Sequence, residues 1–224
     1  MPAFPIDETP SPSASGRRAG PERREQILAE AARKFAETGF SGTPIRSIAA
    51  ACGITEAALY KYFQSKEELF EAALETQIRD YDIEGFLRGL PEEQPLLDTF
   101  RAIASQVLEV GLEDPTIHRL LLAASVSGPT QTSGLYVSWR LPFVRHLEKL
   151  IRRGIARGEI VEVDPLLTAR AFVGLVMDCV LSCDLWSKLG YAGYTPDQLV
   201  NNNVPTFVRG LLRSPGPVEE REEP

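Results

Sequence analysis

The chain is 224 residues long, 43% apolar and 25% charged, with a formal net charge of −7. Those proportions are ordinary for a water-soluble globular protein, long enough for one large helical domain or for a small head on a larger body. Three cysteines in a chain this size do not suggest a disulfide scaffold, and the N-terminus lacks the basic and apolar stretches of a secretory signal.

Residues 1–20 are rich in Pro, Ser and Gly with almost nothing to bury, so a disordered tail is expected, closed by Arg17 and Arg18. Order begins near Pro21, a residue suited to the first turn of a helix. Ile27, Leu28, Ala31, Ala32 and Phe35 then make the apolar stripe of a first helix, which Gly39 ends as its C′ residue. A second helix opens with Thr43 as N-cap and Pro44 at the first helical position, and carries Ile45, Ile48, Ala49 and Cys52 at helical spacing up to Gly53. Thr55 caps a third helix, Glu56 to Phe63, with Leu59 and Phe63 facing inward. Ser65-Lys66-Glu67-Glu68 reads as a capping box, in which Ser65 and Glu68 satisfy each other's backbone donors. The fourth helix runs on to about Leu87 through Leu69, Phe70, Ala73, Leu74, Ile78 and Tyr81. Lys66 is out of place there, because the helix dipole disfavours a cation in the first turn. A phosphate docked on the same helix end would offset that cost.

Beyond Gly89 longer helical segments are divided by Pro and Gly. One spans Pro95 to Glu113, a short one follows Asp114-Pro115 to Val126, and Ser127-Gly128-Pro129 breaks the pattern. Thr132 to Arg157 reads as a long helix with a kink at Pro142, closed by Gly158. Asp164-Pro165 starts the next, to about Lys188. Its apolar stretch, residues 166–185, is interrupted by Arg170, Asp178 and Asp184, which favours a buried helix over a membrane span. Thr195-Pro196-Asp197-Gln198 is a second capping box, opening a last helix to about Arg213 with a bend at Pro205. An acidic, Pro-rich tail, 214–224, is expected to fray. No segment shows the period-2 alternation of a strand, so the expected fold is all-α with about nine helices.

Two short helices joined by a Gly-containing turn suit the helix-turn-helix that lays its second helix in the DNA major groove, and equally an ordinary helical hairpin. Charge distribution bears on the choice. From Arg17 to Lys66, nine Lys or Arg face five Asp or Glu, four net positive charges in a chain whose remainder carries −11. A basic head on an acidic body is the asymmetry expected when only the head meets phosphate.

Residues 27–74, ILAEAARKFAETGFSGTPIRSIAAACGITEAALYKYFQSKEELFEAAL, resemble the N-terminal head of the tetracycline-repressor (TetR/AcrR) family of bacterial transcriptional regulators. The motifs that carry the resemblance are A-x-x-x-F-x-x-x-G-F, T-x-I-x-x-I-A, G-I-T and L-Y-x-Y-F-x-S-K-E-E-L, in that order. The rest matches more weakly, through RGIARGEI and FVRGLL. The resemblance implies a head at 21–66, a fourth helix linking it to a ligand-binding and dimerisation body at 88–213, and a homodimer reading successive half-sites of a palindromic operator. It also implies release by a small-molecule effector.

By family position Thr43, Tyr62 and Lys66 would hold phosphates, with Arg46 adding charge on the second helix. On the third helix, capped by Thr55, small Ala57 and its neighbour Ala58 would let the backbone approach the groove floor. Lys61 would donate to guanine and Tyr60 would pack on a base edge or sugar. Glu56 departs from the family pattern: its carboxylate either accepts from cytosine or repels phosphate.

In the body, the helix from Leu166 is apolar on several faces and must be buried on several. The resemblance implies that the last two helices form a dimer interface, here through Val173 and Val180 with Val204, Phe207, Val208 and Leu211. Phe86, Phe100, His118, Tyr136, Trp139, Phe143 and Met177 are expected to line a largely apolar ligand cavity suited to a lipophilic or aromatic molecule. His118 and His146 carry no metal signature, and no cofactor is expected. Cys179 and Cys183, four apart on one helix, leave open a redox- or metal-sensing regulator, and a dimeric DNA-binding protein without ligand control is a further alternative. No catalytic fingerprint such as H-E-x-x-H, a P-loop or G-x-S-x-G is present, so the chain is expected to be no enzyme. A reduced, cytoplasmic protein without a membrane segment is the default.

Overall fold

The computed structural model describes residues 20–183, 189–190 and 194–213, apart from the side chains of Gln131 and Ser133. Residues 1–19 and 214–224 of the expected tails, with Arg17 and Arg18, and residues 184–188 of the expected extension to Lys188 lie outside the described residues.

The first apolar stripe behaves as its spacing requires: Ile27, Leu28, Ala31, Ala32 and Phe35 are all buried by α1 (Gly20–Gly42). Gly39 takes φ +74°, ψ 172° inside that span, a backbone that a side chain would resist. The chain therefore bends, and Phe40 closes a triangle with Phe35 and Phe70. α2 (Ile45–Ala51) and α3 (Glu56–Leu59) follow. The third helix is shorter than expected. After Leu59 the N–H groups of Lys61 and Tyr62 donate to carbonyls three residues back, at 3.3 and 2.9 Å, and this tighter winding still buries Phe63 beside Leu59.

The expected fourth helix is two helices, α4 (Lys66–Asp80) and α5 (Ile83–Gly89). Asp82 decides the break: its carboxylate accepts from the Gly85 N–H at 2.9 Å and so caps a new helix instead of continuing the old one. The body continues with α6 (Leu96–Glu113), α7 (Thr116–Val126), a 3-10 turn at Thr130–Thr132 and α8 (Ser133–Ala156), which holds Pro142 inside one helix. α9 (Pro165–Leu181) and α10 (Pro196–Leu211) complete it. Asp164 and the Thr195–Gln198 box cap these last two helices as expected.

α6 is the axis of the body, with Phe100, Ile103, Ala104, Val107 and Leu108 all buried. Phe100 meets Phe172 of α9 at 4.6 Å between ring centroids and Phe207 of α10 at 5.9 Å. Each buried phenyl contributes roughly 1.5–3 kcal/mol, against about 0–1 kcal/mol for an exposed ion pair, so this triangle outweighs the surface salt bridges. At Gly111 a β-carbon would stand 2.6 Å from Val180 and 2.8 Å from His118, so α9 and α7 approach α6 through the space its missing side chain leaves. The end of α10 is pinned to the loop after α8 by bonds from Val161 N–H to Leu211 O and from Arg213 N–H to Glu159 O, both 2.9 Å. Among the described residues every regular element is helical, and none is long and apolar enough to cross a membrane.

Candidate nucleic-acid interface and effector core

Two arginines that sequence reasoning passed over brace the head. Arg23 donates to Gln26 at 2.9 Å and to the Cys52 carbonyl at 3.1 Å, placing a cation on the negative end of α2. The Arg24 guanidinium lies 5.0 Å above the Phe63 ring. Their signal was available: each stands one turn before a core residue, Ile27 or Leu28, on the face that α1 buries.

Thr43 differs from expectation. Pro44, with φ −73° and ψ 140°, occupies the N-cap of α2, and α2 begins at Ile45. The Thr43 side chain is 1% exposed, and its hydroxyl bonds to the Thr38 hydroxyl at 2.6 Å, Gly39 O at 2.7 Å and Lys34 O at 3.2 Å. It fastens α2 to the end of α1 and presents no side chain to a phosphate. The capping box also shifts by one residue: Ser65 accepts from Glu68 N–H at 3.1 Å, whereas the Glu68 carboxylate takes the N–H of Gln64 at 2.6 Å.

Arg46, Thr55, Glu56, Ala57, Tyr60 and Lys61 are all exposed on α2, α3 and the turn that follows; Tyr62 is partly buried against the core. Thr55 accepts from Ala58 N–H at 3.1 Å, which leaves its own proton to donate outward. Charge on α1 is largely spent internally, since Arg33 pairs with Glu30 and Glu37 at 2.8 and 2.6 Å and Lys34 approaches Glu37. Among the described residues Arg46 and Lys61 have no such partner. Lys66 solves its first-turn problem through an aromatic contact: its ammonium lies 4.7 Å above Phe40. Burial there lowers its pKa from 10.5, opposed by Glu67.

The expected ligand residues fall into separate places. His118 and Trp139 meet edge to face at 5.2 Å, with Phe143 and Tyr81 at 6.1 and 5.7 Å from the indole. Burial pushes the Tyr81 phenol up to about 12. Within this packed cluster the indole N–H of Trp139, 1% exposed, has no acceptor among the described residues. Phe100 belongs instead to the Phe172–Phe207 triangle, and Phe86 and Met177 rest partly buried against the core. Tyr136 lines a groove of about 450 Å³, under Arg140, with Val137, Leu141, Val144, Leu166 and Arg170. A larger cleft of about 520 Å³ between α5 and α8 is lined by none of the seven.

The expected dimer residues are corrected by burial. Val173, Val180, Val204, Val208 and Leu211 are 0–7% exposed in the single chain, and Phe207 faces Phe100 and Phe172. The valines and Leu211 are core of their own subunit, with α9 packed on α8 and α6 and α10 packed on α6. The outward side of α9 shows Leu167, 61% exposed, with Arg170, Ala171 and Asp178; that of α10 shows Asn201, Asn202, Thr206 and Arg209. Burial also raises the pKa of the Cys179 and Cys183 thiols, a shift away from the thiolate that the cysteine-sensor alternative uses.

An all-α chain that offers a capped, exposed short helix with unpaired cations beside it, mounted on a separate helical body, has the architecture of a helix-turn-helix transcription regulator. Residues 27–73 match the family model for bacterial regulatory proteins of the tetR family. Residues 27–73 are thus a head of the tetR type, and the chain resembles helix-turn-helix transcription regulators over a longer stretch. An uncharacterised helix-turn-helix-type transcriptional regulator, YfiR of Bacillus subtilis (strain 168), is 28% identical over 165 residues, 67% of this chain and 74% of the relative. Other relatives are matched over 28% to 55% of their own length. Among solved structures, AibR in complex with isovaleryl coenzyme A and operator DNA superposes with a TM-score of 0.68 at 24% identity, covering 82% of this chain and 97% of that one. NalD, the secondary repressor of the MexAB-OprM multidrug efflux pump in Pseudomonas aeruginosa, gives 0.67 at 22% identity, covering 88% and 100%. At these identities the likeness to the solved structures concerns the fold.

Proposed function

We propose that this chain is a homodimeric, non-enzymatic repressor, gripping a palindromic operator with Arg46, Thr55, Tyr60, Lys61, Tyr62 and Lys66, and released by a small lipophilic or aromatic effector. The observation that carries the reading is the double engagement of α7. One side of this helix packs on α1 and α4 of the head, and its His118 packs on Trp139 in the aromatic cluster. A molecule that enters the cluster, drawn by the rings and by the unmet Trp139 donor, displaces the helix on which the head rests. A tenfold loss of operator affinity requires about 1.4 kcal/mol of preference for the DNA-free form. We assign dimerisation to the outward side of α9, where Leu167 and the small Ala171 are exposed, in place of the buried valines.

The test begins with duplexes enriched from a random pool, then follows binding by fluorescence anisotropy and mass by light scattering. The reading expects a palindromic consensus, a dimer that Leu167→Glu splits, and saturable release by members of a panel of apolar aromatic compounds. A dimer that binds DNA but releases it to no compound would leave a DNA-binding protein without ligand control. A monomeric protein on a single half-site would remove the dimer.

A further inference from the structure

We propose that the cleft between α5, the start of α6 and α8 is a binding site for a small organic dianion, a phosphate ester or a dicarboxylate, distinct from the aromatic cluster. The chain after Lys66 carries nine more acidic than basic side chains, yet this cleft of about 520 Å³ is lined by Arg88, Arg145, Lys149 and Arg153 against Glu84 and Glu92. Its charge has the opposite sign to the body that surrounds it.

Three of the cations stand on one ridge of α8, since Arg145, Lys149 and Arg153 follow at four-residue intervals, with His146 beside them. Like charges at that spacing destabilise a helix, and nothing among the described residues compensates them. The neighbouring Arg152 shows the contrast: it pairs with Glu148 at 2.7 Å, whereas among the described residues Arg145 and Lys149 meet no carboxylate within 4 Å. On the opposite wall Arg88 is held only loosely by Glu84, at 3.5 Å between two exposed side chains.

Arg153 is positioned rather than free. Its Nη2 donates to the Glu92 carbonyl at 3.0 Å, which ties the loop before α6 to α8, and its Nε is buried without an acceptor among the described residues. An unmet guanidinium donor in a net-positive recess is the arrangement that an anion's oxygens complete. Leu87, Leu90, Pro142 and Leu150 supply apolar wall between the cations, which suits an organic anion better than a free inorganic one. Two positive charges in excess of the lining carboxylates match a dianion. His146, half-buried beside Lys149 and Arg153, is the natural reporter, and its only companion of the same type, His118, lies 5% exposed in the aromatic cluster.

The probes are phenyl phosphate, phenylmalonate and the uncharged benzyl alcohol, titrated into the full chain while the two imidazoles are followed by NMR. The site predicts a saturable shift at His146 with at least one dianion, no shift at His118, and no response to benzyl alcohol. Phenyl phosphate against phenylmalonate decides between phosphate and carboxylate. Arg145→Gln and Lys149→Gln, both exposed and so expected to fold, should each weaken binding at least tenfold; Arg152→Gln should not change it. Unsaturated shifts with both dianions, an equal response to benzyl alcohol, or equal losses in all three variants would overturn the proposal. Because no DNA is present, its failure is separate from failure of the repressor reading.

Discussion

Head and body are each centred on a triangle of phenylalanines, and the two are built differently. In the head Phe35, Phe40 and Phe70 lie 5.0 to 6.1 Å apart and come from α1 and α4, nearer to one another in the chain than the body's three. In the body Phe100, Phe172 and Phe207 lie 4.6 to 5.9 Å apart and come from α6, α9 and α10, distant in sequence. A local triangle leaves the outer face of its helices to charge and small residues, which is what a DNA-reading surface needs. A long-range triangle absorbs the apolar faces of the terminal helices, so less apolar surface remains for a partner subunit.

The largest test of that contrast is Phe100→Ala, expected to cost about 3–5 kcal/mol in denaturant unfolding because the ring is fully enclosed. A loss below about 1 kcal/mol would mean that the body is not centred there. Thr43→Val comes next. It removes a buried hydroxyl shared by three partners and should destabilise the chain by about 1–3 kcal/mol, with the salt dependence of DNA binding unchanged. A flattened salt dependence at normal stability would return Thr43 to the phosphate contacts.

Within the head, Lys66→Ala should weaken binding to all sequences and reduce the salt slope by about one, whereas Lys61→Ala should alter preference between bases by about 1–3 kcal/mol at an unchanged slope. Equal behaviour of the two variants in anisotropy would dissolve the division between grip and reading. The smallest effect belongs to His146. Burial, with Lys149 and Arg153, holds its folded pKa below 6.5, so the unfolded chain takes up the proton first as pH falls. Its contribution to stability is present above pH 6.5 and is lost as pH falls through the folded value. His146→Gln should flatten that part of the stability curve, read from unfolding midpoints between about pH 5 and 8.

The head was legible because its determinants are local. Gly39, Thr55 and Ser65 act within a few residues of themselves, and the spacing of Ile45, Ile48 and Leu59 already states which side is buried. Even there, Thr43 was misread, because a threonine before Pro44 has the composition of a cap and only the returning end of α1 shows its hydroxyl to be occupied. The dimer valines were misread for a related reason. Periodicity reports that a face is buried and is silent on whether the same chain or another covers it. Asp82 was a cap in plain sight, overlooked because the apolar stripe continues across it.

The sequence by itself determined the helical class, most helix limits through their caps, the helix-turn-helix head and the concentration of positive charge upon it, since each depends on neighbours a turn or two away. Tertiary structure alone decided that α9 packs on α8 and α6 and α10 on α6, that α7 joins the head to the Trp139 cluster, and that Arg88 and Glu92 come to face the basic ridge of α8. Those pairings join residues far apart in the chain. Their energy comes from close packing and shared burial, which no local pattern records.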